Sequence, residues 1–192
     1  LEYMGYTGQA EVKHCDIVAQ RGEDLLIIEL KTAFNLSLVY QGIKRQEITN
    51  SVYLAVPVTG SRSYPSNWGN VSRLLKRLGL GLILVRFLRS GPKVQIAIEA
   101  RAGTGRPRRR GRKGLLEELA GRKTDANSAG SVRREIMTAY REETIRIACF
   151  LSVFGPLSPK RLRDFGCGKK TTSILYNNYY LWFERQAKGI YA

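Results

Sequence analysis

The chain has 192 residues, of which 43% are hydrophobic, and it carries 32 lysines and arginines against 16 aspartates and glutamates. That length and apolar content suffice for one large domain or two small ones with a packed core. The formal charge of +16 favours a polyanionic partner, with nucleic acid first among them. A single histidine and three scattered cysteines argue against Ser-His-Asp hydrolases, His-ligated zinc enzymes, structural zinc sites and a disulfide framework.

The first structural signal along the chain is a β-hairpin. Two apolar runs, 11–19 and 25–31, are rich in β-branched or aliphatic residues and flank a short polar stretch. That stretch contains Gly22, which suits a tight turn. We therefore predict two antiparallel strands joined by a turn centred on Gly22 and Glu23.

This register brings charged residues together. It places Asp16 opposite Glu29 and His14 opposite Lys31. Because side chains alternate across a strand, Asp16, Glu29 and Lys31 project from one face of the hairpin. Two directly opposed carboxylates repel each other unless a cation lies between them. The pattern predicts a divalent metal site.

The chemistry that such a trio supports is phosphodiester hydrolysis. Hard carboxylate oxygens suit Mg²⁺ or Mn²⁺, which polarise a phosphoryl oxygen and lower the pKa of a bound water. Lys31 would orient that water or neutralise charge in the transition state. The alternative is a solvated ion pair of Glu29 and Lys31 at a strand end, with Asp16 as an edge charge. The apolar strands around these charges favour the metal site, since buried strands rarely carry unpaired charge.

Helices and strands alternate after the hairpin, as in a sheet with helices packed on its faces. Asn35 is the predicted cap of a helix over 36–48. Its apolar positions, expected to pack against the sheet, are Leu36, Val39, Tyr40 and Ile43. The remaining predicted elements are a strand at 52–57, a helix around 71–78 and strands at 80–87 and 93–99.

Residues 101–131 read as a basic linker or arm. Six of the eight residues from 106 to 113 are basic: Arg106, Arg108, Arg109, Arg110, Arg112 and Lys113. Such a run cannot pack as a core, so it is either a solvated linker or bound to a polyanion. We predict that it contacts nucleic-acid phosphates. A short helix is expected at 115–119.

Residues 132–192 are predicted to form a small helical domain. A helix over 132–154 with a break near Arg141 is followed by a turn, a short helix at 160–165, a second helix from Thr171 towards Trp182 and a closing strand at 189–192. This order resembles a winged helix-turn-helix. Lys169 and Lys170 would lie at the start of the second helix and contact phosphates. An aromatic cluster is expected in the core: Tyr176, Tyr179, Tyr180, Trp182 and Phe183.

These motifs resemble those of the PD-(D/E)XK nuclease superfamily. Asp16 followed by Glu29-Leu30-Lys31 matches its short signature. The wider chain is similar to a bacterial family of PD-(D/E)XK-type phosphodiesterases. That likeness rests on five further segments: 15–19, 52–57, 140–141, 182–185 and 189–192.

The resemblance implies a restriction-endonuclease-like α/β domain over 1–100, with a mixed sheet flanked by helices. It also implies that Asp16, Glu29 and the Leu30 carbonyl bind Mg²⁺ or Mn²⁺, that Lys31 is the catalytic lysine, and that Gln41 is the polar residue beside the site. In many relatives a helix ahead of the first strand adds an acidic residue. Glu2 is the candidate for that role here.

Two functions remain open. The first is a metal-dependent nuclease acting on DNA or RNA, with DNA as the expected substrate and a homodimer as one suitable form. The second is a non-enzymatic DNA-binding or regulatory protein on a nuclease-like fold. The intact trio favours the first. No run near twenty apolar residues and no secretory signal occurs, so a cytoplasmic protein without membrane attachment is expected.

Overall fold

The computed structural model describes residues 5–58, 64, 67–101, 109–124, 127 and 136–192. The chain divides into two compact units, which we call unit 1 and unit 2. Unit 1 comprises Leu1–Leu119 and Asp125–Ile136, and unit 2 comprises Ala120–Thr124 and Met137–Ala192.

Unit 1 is built on a six-stranded sheet whose strands are neighbours in chain order. The strands are β1 (Thr7–Val12), β2 (Cys15–Arg21), β3 (Asp24–Leu30), β4 (Ser51–Pro57), β5 (Gly81–Leu88) and β6 (Gly91–Ile98). The pairs β3–β4 and β4–β5 are parallel, and the other three pairs are antiparallel. The predicted mixed α/β sheet is thus confirmed.

Helices cover the sheet where the parallel strands require crossover connections. α1 (Leu36–Arg45) and α2 (Trp68–Leu78) connect β3 to β4 and β4 to β5. Their buried residues Leu38, Val39, Val71 and Leu75 join the inner side chains of β4 and β5 in one core. Asn35 caps α1 as predicted, its side chain accepting from the Leu38 N–H at 2.9 Å.

The hairpin of β2 and β3 has the predicted register. Val18 pairs with Ile27 and Ile17 with Ile28 across a two-residue turn. That turn contains Gly22 with a φ of +56°, which glycine adopts without steric cost. The turn chemistry and the apolar pattern therefore sufficed to define this pairing.

The first arm of that hairpin is shorter than predicted. Lys13 and His14 form the turn that joins β1 to β2, and both have positive φ, +46° and +67°. His14 therefore does not face Lys31, and that prediction is wrong. Turns of this kind are signalled by Asn-Gly or Asp-Gly, and a Lys-His pair gives no such signal.

The predicted core face of α1 is wrong in phase. Leu36, Tyr40 and Ile43 are exposed. The buried residues of the helix are Leu38, Val39, Gly42 and Arg45. A glycine and an arginine on the inner face conceal the apolar periodicity on which the prediction rested.

A third helix lies within the segment predicted as a linker. α3 (Arg109–Gly121) buries Leu115 and Leu119 in a second core with side chains of β1, β2 and β3. The short helix predicted at 115–119 is thus part of a longer one. Arg106 and Arg108 lie outside the described residues, as do the side chains of Arg109 and Arg110.

Unit 2 consists of three helices and a small hairpin. They are α4 (Ala139–Phe154), α5 (Pro159–Asp164), α6 (Thr171–Asn177), β7 (Arg185–Ala187) and β8 (Ile190–Tyr191). Thr138 and Ser158 cap α4 and α5 through their hydroxyls. α4 begins later than predicted. The winged helix-turn-helix assignment of this unit stays a prediction.

The prediction that the aromatic residues around the end of α6 form a core is wrong for most of them. Of the five, Phe183 is buried, whereas Tyr176, Tyr179 and Trp182 are exposed. The helix ends at Asn177 instead of continuing towards Trp182, because Asn178 adopts a left-handed conformation with a φ of +44°. The segment that follows is therefore a loop.

None of the helices in the described parts of the chain is long and apolar enough to cross a membrane.

Replacing Gly81 by alanine should destabilise unit 1. Gly81 pairs with Tyr53 across β4 and β5, and a Cβ at Gly81 would overlap the tyrosine ring. We expect the free energy of unfolding to fall by about 1–3 kcal/mol, measured by urea denaturation. Gly69→Ala is the control, because its Cβ would have no neighbour within 4 Å. Equal stability of the two variants would contradict the packing described here.

Candidate active site

Asp16 and Glu29 lie together at one end of the β2–β3 hairpin. Continuing the observed register by one residue beyond Ile17 and Ile28 brings the two acidic residues opposite each other. The Leu30 N–H donates to Asp16 Oδ2 at 2.7 Å, which fixes the aspartate against the end of β3. The Glu29 side chain is only 1% exposed.

Arg45 is the partner of Glu29. Its Nε donates to Glu29 Oε1 at 2.5 Å, and both side chains are buried. The same guanidinium donates to the backbone carbonyl of His14 in the β1–β2 turn. One arginine of α1 therefore ties together the end of β3 and the turn before β2. In the sequence, the seven-residue spacing between Arg45 and Leu38 indicates that both residues lie on one face of the helix. That spacing does not indicate that Arg45 pairs with Glu29, sixteen positions earlier.

The charge of Glu29 is costly in this environment. Burial raises the pKa of the Glu29 carboxyl above its ordinary value, the hydrogen bond and charge of Arg45 oppose that rise, and the neighbouring Asp16 carboxylate adds to it. Arg45 alone does not offset the loss of solvation. A further cation close to both carboxylates would favour the ionised form.

Oxygen donors near Glu29 fit a hard divalent cation. Asp16, Glu29 and the Leu30 carbonyl provide carboxylate and backbone oxygens, the donors that Mg²⁺ prefers. Gln41 lies one helical turn before Arg45 on α1, and its Oε1 is buried without a hydrogen-bond partner. In the described parts of the chain, no group of three or more His, Cys, Asp or Glu residues could hold a metal. A cation here would depend on two carboxylates and water, as Mg²⁺ commonly does.

Lys31 follows β3 directly and is half-buried. The backbone N–H of Lys31 donates to the Ala55 carbonyl at 3.1 Å, which continues the pairing of β3 with β4. Lys31 lines a cleft of about 330 Å³ at the carboxyl ends of the parallel strands, together with Pro57 and Phe87. Ligands of open α/β sheets bind at this edge.

Neither Asp16 nor Glu29 lines this cleft, because its strand residues Leu30, Ala55 and Val85 lie on the opposite face of the sheet from Glu29. The lysine and the two carboxylates share one end of β3, and of the three the cleft contains the lysine.

The predicted phosphate-binding residues that the structure describes lie on α3 and directly before α6. The Arg112 guanidinium donates to the Glu23 carbonyl at the β2–β3 turn. Lys113 forms an exposed ion pair with Glu117 at 4.0 Å. Lys169 and Lys170 are exposed just before α6 in unit 2. The acidic candidate Glu2 lies outside the described residues.

The sequence did not indicate a buried carboxylate on β1. Glu11 is buried, with a φ of +54°, and its charge acts on Cys15. Burial raises the pKa of the Cys15 thiol to about 12, with Glu29 and Asp16 adding to the rise and Arg45 opposing it. Cys15 is therefore a neutral, buried thiol beside the candidate site.

Replacing Arg45 should lower the stability of the folded chain. Arg45→Met leaves Glu29 buried without its cation, so we expect the free energy of unfolding to fall by about 3–5 kcal/mol. The double variant Glu29→Gln/Arg45→Met should recover most of that loss, because no buried charge remains. Denaturant titration measures both. The exposed neighbour Lys44 is the control, and Lys44→Met should change stability by no more than about 0.5 kcal/mol.

Cys15 should resist alkylation in the folded protein. The thiolate is the reactive form, and a pKa of about 12 keeps Cys15 protonated at pH values near 8. Cys149 is exposed, whereas Cys15 and Cys167 are buried. Iodoacetamide followed by peptide mass spectrometry should modify Cys149 first and Cys15 only after denaturant is added. Modification of Cys15 at the rate of Cys149 would contradict the burial described here.

Comparison with protein families gives a match over residues 83–192. The matched segment begins within β5 and includes α3 and all of unit 2, whereas Asp16, Glu29 and Lys31 precede it. No curated protein and no solved structure matches the chain. Since the match covers more than half of the sequence, the chain belongs to the family described as "Putative PD-(D/E)XK phosphodiesterase (DUF2161)".

Proposed function

We propose that this protein is a divalent-metal-dependent phosphodiesterase that hydrolyses nucleic acid. The observation that carries the proposal is the buried Glu29 carboxylate beside Asp16, with Lys31 two residues further on at the carboxyl end of β3. The family description names the same class of reaction. Phosphodiester hydrolysis is the chemistry for which carboxylates and a lysine in this order are best suited.

Each residue has a distinct role in this proposal. Asp16 and Glu29, with the Leu30 carbonyl, would hold Mg²⁺ or Mn²⁺, and Gln41 offers a further amide oxygen. The metal, when bound, would lower the pKa of a water and polarise a phosphoryl oxygen. Arg45 is a positioning residue, because its guanidinium holds the Glu29 carboxylate through the hydrogen bond from Nε to Oε1. Lys31 would compensate the negative charge that builds on the phosphate.

The net charge supports a nucleic-acid substrate, and DNA is the expected form. A protein with a formal charge of +16 attracts polyanions at long range and releases counterions when it binds them. We assign backbone contacts to two groups of basic residues. The first group is Arg106, Arg108, Arg109, Arg110, Arg112 and Lys113, and the second is Lys169 and Lys170.

One observation favours a second function, a DNA-binding protein without catalysis. Arg45 already supplies a positive charge to Glu29 at 2.5 Å. Under this alternative the Asp16–Glu29 pair is structural, and Arg45 is its permanent counterion.

A cleavage assay separates the two functions. Supercoiled plasmid and end-labelled oligonucleotides are incubated with Mg²⁺ or Mn²⁺ and wild type, Glu29→Gln or Lys31→Ala. We expect metal-dependent cutting by wild type, a loss of roughly 10²–10³-fold in Lys31→Ala because transition-state charge is no longer compensated, and a loss at least as large in Glu29→Gln.

Matched variants of neighbouring residues control for charge and folding. Asp24→Asn removes an exposed carboxylate at the other end of β3, and Lys44→Ala removes an exposed ammonium from α1. Both should cut at the wild-type rate, and EDTA should stop all cutting. Tight, salt-sensitive binding with no cutting by any form would establish the second function instead.

A further inference from the structure

Unit 2 carries a row of four aromatic rings. Tyr180 stacks on Trp182 with ring centroids 4.9 Å apart and an interplanar angle of 27°. Tyr140 of α4 contacts both Tyr179 at 5.6 Å and Tyr180 at 6.2 Å. We call Tyr140, Tyr179, Tyr180 and Trp182 the aromatic row. It connects the loop after α6 with the first turn of α4.

Two rings of the row lie on the surface of unit 2, whereas Tyr140 and Tyr180 are half-buried and Tyr140 packs against the core of the unit. Tyr179 is 73% exposed and Trp182 is 45% exposed, and Leu181 between them is 86% exposed. Large apolar side chains that cluster on a protein surface commonly mark a site of interaction with another molecule. Aromatic side chains suit such a surface, because they offer much contact area with few rotatable bonds.

The loop is built to hold this display. The Asn178 side chain donates to the Phe183 carbonyl at 2.7 Å and accepts from the Phe183 N–H at 3.2 Å, while the Leu181 N–H donates to the Asn178 carbonyl at 2.9 Å. Leu181 has a φ of +57°, a strained conformation for leucine. Strain that the surroundings maintain at an exposed residue is typical of functional loops.

Positive charge accompanies the rings. The Arg141 guanidinium lies 5.8 Å from the centroid of Tyr180. Unit 2 as a whole has eleven lysines and arginines against four aspartates and glutamates. Exposed rings beside cations are complementary to bases joined by phosphates.

We propose that the aromatic row binds single-stranded nucleic acid, with bases stacked on Tyr179 and Trp182 and Arg141 at the backbone. The inference deepens the proposed function, on which it rests for its choice of polymer, by naming the form of substrate. In a duplex the bases are stacked on each other and offer no face to these rings. Unpaired bases offer their faces, and stacking does not depend on their sequence.

Binding is measured on the wild-type chain in EDTA, so that no cutting occurs. Fluorescence anisotropy compares a labelled oligo(dT) of about 12 nucleotides with an abasic oligomer of equal length and charge. We expect oligo(dT) to bind more tightly. Tyr179→Ala and Trp182→Ala should each weaken oligo(dT) binding by roughly 5–100-fold and leave abasic binding unchanged, because only stacking is lost.

Tyr176→Ala is the matched control, since Tyr176 is an exposed tyrosine of α6 outside the aromatic row. It should bind both oligomers as wild type does. Equal binding of the two oligomers by wild type, or ring variants without effect, would overturn the proposal and leave the row as a protein-contact surface. Because the binding assay contains no metal, its result does not depend on whether the protein hydrolyses nucleic acid. Conversely, a protein that does not stack bases on these rings could still cut in the cleavage assay, so the two proposals fail separately.

Discussion

The site in unit 1 depends on a buried ion pair. Glu29 and Arg45 meet at 2.5 Å with both side chains shielded from solvent. Removing two charges from water costs several kcal/mol per ion, which the attraction between them offsets only with good geometry and further hydrogen bonds. Arg45 has such a bond to the His14 carbonyl. The pair thereby links α1 to the end of β3 and to the β1–β2 turn.

The ion pair and the pairing of the strands together explain where the candidate active site lies. Parallel pairing of β3, β4 and β5 places their carboxyl ends at one edge, where Lys31 lines the cleft. Asp16 reaches that edge because the β2–β3 register brings it beside Glu29, and the Leu30 N–H holds it there. The Arg45 guanidinium of α1 therefore positions the Glu29 carboxylate at this end of β3.

The sequence predicted what is local and failed where contacts are distant. The hairpin register followed from one glycine and two apolar runs. Arg45 could not be predicted as the partner of Glu29, since nothing in helix periodicity names a strand residue sixteen positions away. The turn at His14 lacks the usual glycine or asparagine. The aromatic residues after Asn177 were predicted to continue α6 into a core, and the left-handed conformation of Asn178, which ends the helix, has no clear sequence signal.

Calorimetric titration with Mn²⁺ is the most direct test of the central claim, that Asp16 and Glu29 form a metal site. Wild type and Asp24→Asn should bind one ion per chain with equal affinity, whereas Asp16→Asn should lose that binding while keeping its fold by circular dichroism. Asp16 suits this test because its removal leaves the Glu29–Arg45 pair intact. Absence of binding by wild type, or unchanged binding by Asp16→Asn, would contradict the account.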